Sequence, residues 1–258
     1  METGQIKKQQ TLLEFINPEK LKETEQEIEE LGASLPPSNG SDDAANSEPS
    51  DFPPKYDMQK TQEVVKKITE IFNHINYSFA KFLDIALAAV EGRENDYMEL
   101  IKGMDRKELD DYVKCYGDLY NFFIDGYYDD VLGNYYQQNY KSSNGYFITP
   151  FHASLMIAEM IGINPEDTVS DPACGSGSML LAAKYVIHKN YGWKASCYFV
   201  PKIYGQDINN TYVKMCKLQL YLSNYLYMIG RTYDAVKDML KNSPGSEVSL
   251  NQSSLAPV

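Results

Sequence analysis

Residues 171–178 read Asp-Pro-Ala-Cys-Gly-Ser-Gly-Ser, and how this stretch folds decides how the chain folds. Ahead of it, Asp167-Thr168-Val169-Ser170 has the β-branched content of a strand; behind it, Met179-Leu180-Leu181-Ala182-Ala183 is an apolar run of helix formers. The expectation is a strand, a glycine turn and a helix. Gly175 and Gly177 permit positive φ and put no Cβ between the backbone and a ligand, while N–H groups at a helix start attract anionic groups. Such a turn is read in two ways, as scaffold of an α/β domain or as a nucleotide or cofactor site.

Composition narrows the partners. The 258 residues are 43% hydrophobic, enough for one sizeable domain or two small ones. The formal charge of −12 is uneven: residues 1–55 carry 12 acidic and 5 basic groups, residues 56–140 carry 16 and 9, and residues 141–258 carry 8 and 10. A chain that grips nucleic acid alone shows a basic face. This one has an acidic half ahead of a near-neutral one, so a strong hold on DNA is expected to come from a partner. Cys115, Cys174, Cys197 and Cys216 have no C-x-x-C spacing and there are three histidines, so neither a metal site nor a disulfide framework is expected. Met1-Glu2-Thr3-Gly4-Gln5 has no leader character and no run of about 18 apolar residues offers a membrane span, which points to the cytoplasm.

Residues 17–55 are poor in large apolar groups, and the acidic segment 1–55 is expected to be disordered, with a transient helix at Pro18 to Leu31. Within it, Gln10-Thr11-Leu12-Leu13-Glu14-Phe15 resembles the Q-x-x-L-x-F peptide that docks bacterial proteins on the replication sliding clamp; a plain amphipathic turn is the competing reading. From Gln59 to Val90 apolar residues recur at three-and-four spacing (Val64, Ile68, Ile71, Ile75, Phe79, Phe82, Ala86), which predicts one long amphipathic helix, with His74 a structural residue on it. Shorter helical runs follow at Tyr97–Lys102 and Lys107–Cys115. Eight tyrosines fall between Tyr112 and Tyr140, interleaved with aspartates that would repel a phosphate backbone, so they are expected to pack helices with wet phenol tips.

Four motifs in order carry a resemblance. Asp130-Val131-Leu132-Gly133-Asn134-Tyr135-Tyr136 resembles the D-x-L-G-x-x-Y segment that closes the helical domain of type I restriction-modification methylation subunits, although Gln137 stands where that family has an acid. Gly145-Tyr146-Phe147-Ile148-Thr149-Pro150 resembles their G-x-F-x-T-P motif. The opening stretch is similar to D-P-A-C-G-[ST]-G, the cofactor loop of adenine-specific (N-6) DNA methylases, and Gly205-Gln206-Asp207 matches their G-x-[ED]. The resemblance spans roughly Asp125 to Tyr225, two-fifths of the chain. It implies S-adenosylmethionine as cofactor: Tyr146, Thr149 and Pro150 at its methionine end, Asp171, Pro172, Ala173, Gly175, Ser176 and Gly177 around it, and Asp207 on its ribose. A carboxylate at the tip of the second strand is also where doubly wound folds hold ribose hydroxyls. The competing role for Asp207 is a cap for the helix that follows.

Methyl transfer to an adenine amine needs an in-line sulfonium, a flipped base and polar acceptors for the amine. In the family those acceptors come from [ND]-P-P-[FYW]. Downstream of Asp207 the prolines are Pro244 and Pro257, and Asn242-Ser243-Pro244-Gly245, after a helical run at Tyr233–Lys241, reads as a helix stop. No catalytic residue can therefore be assigned.

The expected fold is α/β: a helical domain over residues 56–143, a partial Rossmann-like S-adenosylmethionine-dependent methyltransferase domain over 144–241, and disordered tails at 1–55 and 242–258. Less than half of the sheet that the resemblance implies is present, so the chain reads as truncated. The strand edge and the apolar helix at Thr211–Tyr227 are then expected to need cover from a second polypeptide, from self-association or from an unrecognised element. The functional expectation is an adenine-specific DNA methyltransferase, completed in trans and directed to DNA by a specificity subunit. The alternative is an inactive methylase fragment that serves as an assembly or decoy binding protein.

Overall fold

A computed structural model describes residues 53–73, 77–140 and 148–224. They fall within one compact unit, residues 41–258. The Gln10–Phe15 peptide and nearly all of the acidic tail lie outside the described residues, as do His74, Tyr146, the run Tyr233–Lys241 and the tail from residue 242.

Helix α1 (Met58–Phe72) starts at Asp57, whose carboxylate accepts from Gln59 N at 2.8 Å and Lys60 N at 3.2 Å. It buries Thr61, Val64, Val65, Ile68 and Ile71. The single helix expected over Gln59–Val90 is in fact two, because α1 ends at Phe72 and α2 runs Phe79–Val90 behind a Ser78 cap. The Tyr112 hydroxyl holds the backbone of Ser78, accepting from its N–H at 2.9 Å and donating to its carbonyl at 3.0 Å. Phe72 then meets Phe79 edge-on, ring centroids 5.4 Å apart. The apolar period runs unbroken through this corner, so spacing alone could not register it.

Helices α3 (Glu94–Ile101), α4 (Arg106–Ile124, capped by Asp105) and α5 (Val131–Asn139, capped by Asp130) complete this half. The tyrosines pack between helices as expected, but their tips are not all wet: Tyr112, Tyr120, Tyr128 and Tyr135 are buried, and the Tyr128 hydroxyl is hydrogen-bonded within the core to His188 Nδ1 at 3.1 Å.

In the second half, α6 (Phe151–Ile161) ends at Gly162, left-handed at φ 69°. Strand β1 is Val169–Asp171, and α7 is Ser178–Phe199 with a break at Gly192. Strand β2 is Ile203–Gly205. The aromatic and β-branched run Tyr198–Tyr204 that leads into Gly205-Gln206-Asp207 is thus mostly not strand: α7 continues to Phe199, and Val200–Lys202 is a 3-10 turn that takes Pro201 where a strand interior would not. β1 and β2 pair in parallel, with Val169 opposite Ile203 and Asp171 opposite Gly205. The described residues therefore form a mostly helical α/β unit with a small parallel sheet.

Helix α8 (Asn210–Leu222) is capped by Asn209, which accepts from Thr211 N at 2.9 Å. The expectation that this apolar helix lacks a full partner is corrected, because the first half of the chain covers it. α8 packs on α2, where Lys214 meets Asp84 at 2.5 Å and Lys217 pairs with Glu91. Met215, Cys216, Leu218, Gln219, Leu220 and Leu222 are buried. Its carboxyl end is held by Lys184, a buried ammonium that donates to the Ser223 carbonyl at 2.5 Å and to Ser196 Oγ at 3.0 Å.

Candidate cofactor site

The glycine turn joins the carboxyl end of β1 to the start of α7, beside the carboxyl end of β2, the edge at which open parallel sheets bind ligands. Its geometry follows from a chain of hydrogen bonds. Asp171 Oδ1 accepts from Ala173 N at 3.0 Å, Gln206 O accepts from Cys174 N at 2.8 Å, and Asp207 Oδ2 accepts from Gly175 N at 3.0 Å. Gly177 N donates to Cys174 O at 2.9 Å. The N–H groups of residues 173, 174, 175 and 177 are thus engaged within the protein, which leaves the turn's rim, not these donors, for contact with a ligand.

Asp207 does not cap α8, since Asn209 does so. Instead its second oxygen accepts from Asn209 N at 2.8 Å. The carboxylate locks the tip of β2 to the glycine turn, and each oxygen keeps a lone pair for a further donor.

The two glycines of the turn are required for different reasons. Gly177 has φ 101°, and a Cβ there would lie 2.9 Å from Cys216 Sγ and 3.2 Å from its Cα, so bareness at this position lets α8 approach. Gly175 has φ 54°, and a Cβ there would meet nothing within 4 Å: it would project into open space over the turn. Packing sets the first constraint, whereas the second leaves room on the outer face. Pro172 and Ala173 are exposed on that rim, with Asp171 and Asp207 half-buried beside it and Ser176 and Gly177 buried beneath.

Thr149 and Pro150 are exposed at the start of α6, and Tyr146 lies outside the described residues. One turn along α6, Ser154 Oγ lies 2.9 Å from Ser178 Oγ, a buried contact that ties the start of α6 to the start of α7. Ile208, next to Asp207, is 80% exposed, an apolar side chain at the rim of the site that sequence reasoning passed over. Its neighbour in sequence, the acid at the strand tip, was the available signal.

The D-x-L-G segment also meets the turn. Asp130 is buried and caps α5 through Gly133 N at 2.9 Å, and its other oxygen accepts from Ser176 Oγ. Gln219 on α8 donates from Nε2 to Asp130 Oδ1 at 2.9 Å and to the Ser176 carbonyl at 2.9 Å. Burial pushes the Asp130 carboxyl above its ordinary range, against the pull of these donors. Gly133 has to be glycine, because a Cβ would stand 2.2 Å from Asp130 Oδ2 and 2.3 Å from Ser176 Oγ. Neither Gln219 nor Ser154 carries a mark in the sequence that sets it apart from an ordinary helix residue. The Cys216 thiol, hydrogen-bonded to Cys174 and buried, is held well above its usual range and stays protonated. Among the described residues no group of three His, Cys, Asp or Glu side chains is placed to hold a metal ion, and no helix is long and apolar enough to cross a membrane.

Known proteins resemble this chain over the same region. The family model for N-6 DNA methylases matches residues 116–242. The chain is 36% identical over 142 residues to the type I restriction enzyme MpnII methylase subunit of Mycoplasma pneumoniae, a match covering 52% of this chain and 23% of that subunit. It is 30% identical over 174 residues to the type I restriction enzyme MjaVII methylase subunit of Methanocaldococcus jannaschii, covering 65% and 28%. A shorter match, 43% over 60 residues, is to the type II restriction enzyme and methyltransferase RM.BcgI of Heyndrickxia coagulans, covering 21% and 9%. The matched part therefore spans about a quarter, or less, of these relatives. No solved structure matches.

Proposed function

We infer that this chain, which belongs to the N-6 DNA methylase family, binds S-adenosylmethionine on the turn between β1 and α7 and supplies the cofactor-binding part of an adenine-specific DNA methyltransferase. The observation that carries the reading is Asp207, which is bonded to Gly175 N under a turn whose outer face is open where Gly175 has no side chain. The half-buried carboxylate keeps acceptor capacity for ribose hydroxyls. Ile208 offers an apolar surface for the adenine ring. Pro172, Ala173 and Gly175 allow the cofactor close to the backbone, with Ser176 and Gly177 shaping the turn from beneath. Thr149 and Pro150, with Tyr146 by its motif alone, are assigned to its methionine end, and Asp171 to the turn around it. Bound there, S-adenosylmethionine supplies a methyl group on a sulfonium; the residues named hold and orient it.

In this reading the small parallel sheet is the first part of a Rossmann-like methyltransferase fold, with a helical domain over 56–143 and a cofactor domain over 144–241. A polypeptide bearing the [ND]-P-P-[FYW] acceptors completes the enzyme in trans, and a specificity subunit brings it to DNA, which the chain's −12 charge would otherwise repel. One observation favours a second reading, a cofactor-binding fragment without transfer activity that acts as an assembly or decoy protein: α2 already covers α8, so the chain buries its apolar helix without another half.

Incubation with methyl-labelled S-adenosylmethionine and DNA tests the proposal, for the chain alone and with a polypeptide that carries those acceptors. Label in DNA only with the complementing polypeptide supports completion in trans. Cofactor bound but no label in either case supports the second reading, and label from the chain alone contradicts the assignment of the acceptors to another polypeptide.

A further inference from the structure

The turn that the proposed function assigns to the cofactor is held from two sides. The tips of β1 and β2 fix residues 173 to 175 through Asp171, Gln206 and Asp207. Ser176, between two glycines of positive φ, has no such support from the strands; its hydroxyl bonds to Asp130 in the helical half of the chain and its carbonyl to Gln219 on α8. The peptide joining Ser176 to Gly177 is gripped at both ends, its carbonyl by Gln219 Nε2 at 2.9 Å and its N–H by Cys174 O at 2.9 Å. With glycine on its far side this peptide turns over more easily than most, so a fixed partner on its carbonyl sets its orientation.

Gln219 suits that task. It is fully buried, and its amide is satisfied on every side: two donor contacts to Asp130 Oδ1 and Ser176 O, and Oε1 accepting from Leu132 N at 3.0 Å. One side chain thereby joins α8, the capped start of α5 and the glycine turn. An acid at position 219 would face the Asp130 carboxylate, and an apolar residue would leave both the Ser176 carbonyl and Asp130 short of a donor.

We propose that Gln219, working with Asp130, is a positioning residue for the cofactor turn: it fixes the Ser176–Gly177 peptide, so that α8, braced on the Asp130 cap of α5, sets the shape in which the turn receives S-adenosylmethionine. The proposal rests on the reading of the turn as the cofactor site. It makes the D-x-L-G segment a strut of that site, with Gly133 bare so that Asp130 and Ser176 can meet against it.

The test compares the full chain with Gln219→Met, Ser176→Ala and Leu218→Ala, the last on the same helix and directed into the core. Two readouts are used: calorimetric affinity for S-adenosylmethionine, and amide hydrogen exchange over residues 172–179. Gln219→Met is expected to weaken cofactor binding roughly tenfold or more and to speed exchange at Gly177, while protection in α4 and the middle of α7 stays unchanged. Ser176→Ala, which spares the Gln219 contact to the main chain, is expected to show the same exchange change in weaker form. Leu218→Ala is expected to lower thermal stability and leave affinity as it was. Wild-type affinity and exchange in Gln219→Met would overturn the proposal, as would an affinity loss in Leu218→Ala equal to that in Gln219→Met. If the unaltered chain takes up no cofactor, the reading of the site fails. The exchange arm then decides the clamp by itself, and unchanged exchange at Gly177 overturns it.

Discussion

At the scale of single residues, two adjacent buried carboxylates tie elements together: Asp130 reaches Ser176 in the second half, and Asp129 ties the start of α5 to α1. Asp129 sits beside Asp130, accepts from Thr61 Oγ1 at 2.6 Å and from Asp130 N at 2.7 Å, and is pushed by burial up to about 6. The folded protein therefore holds this proton more tightly than the unfolded chain, and stability falls as pH rises from about 4 to about 6. Ionised Asp129 costs on the order of 2–3 kcal/mol at neutral pH. Asp129→Asn keeps an acceptor for Asp130 N and offers a donor to Thr61, whose hydroxyl also reaches Asp57 O at 3.2 Å. It is expected to flatten the urea-unfolding free energy between pH 4 and 6 and to raise it above pH 6; an unchanged pH slope contradicts the burial argument. The glycines of the turn give a second residue-scale prediction. Gly177→Ala, strained at φ 101° and against Cys216, is expected to cost about 2–4 kcal/mol in thermal unfolding. Gly175→Ala, with open space above it, is expected to cost about 1 kcal/mol or a little more, and its main effect should be on cofactor affinity.

At the scale of elements, α8 shows what was legible in the sequence and what was not. Its apolar residues announced a buried helix, and Val169 and the glycines announced the strand and turn, because each of these is a local signal. The surface that buries α8 was not legible: α2 lies more than a hundred residues away, and no local pattern encodes that docking. The corner at Ser78 was hidden in the same way, because Tyr112, which fixes it, lies 34 residues on. In the site, the D-x-L-G segment was visible as a motif, but its reason, a carboxylate meeting Ser176 over a bare glycine, needed three elements brought together. For α8 the core contacts should outweigh the ion pairs. Leu218→Ala is expected to cost about 2–5 kcal/mol, and Lys214→Ala, which removes a half-exposed pair with Asp84, less than about 1 kcal/mol in chemical denaturation. The reverse order would mean that charge, not burial, docks α8 on α2.

At the scale of the whole molecule, the described residues form a mostly helical α/β unit in which the helical half covers α8 and reaches the glycine turn through Asp130. A fragment of residues 144–258 would then expose the apolar face of α8. It is expected to bind a hydrophobic dye and to lack a cooperative thermal transition, whereas residues 41–258 should unfold in one step; a soluble, cooperatively folding 144–258 fragment would contradict the packing described. Whether the turn at residues 171–177 holds S-adenosylmethionine is decided by calorimetric titration of the full chain with that compound, beside Gly175→Val checked by circular dichroism for retained fold. Saturable heat is expected from the unaltered chain and none from the variant. Absence of heat from the unaltered chain, or equal heat from both, would contradict that expectation.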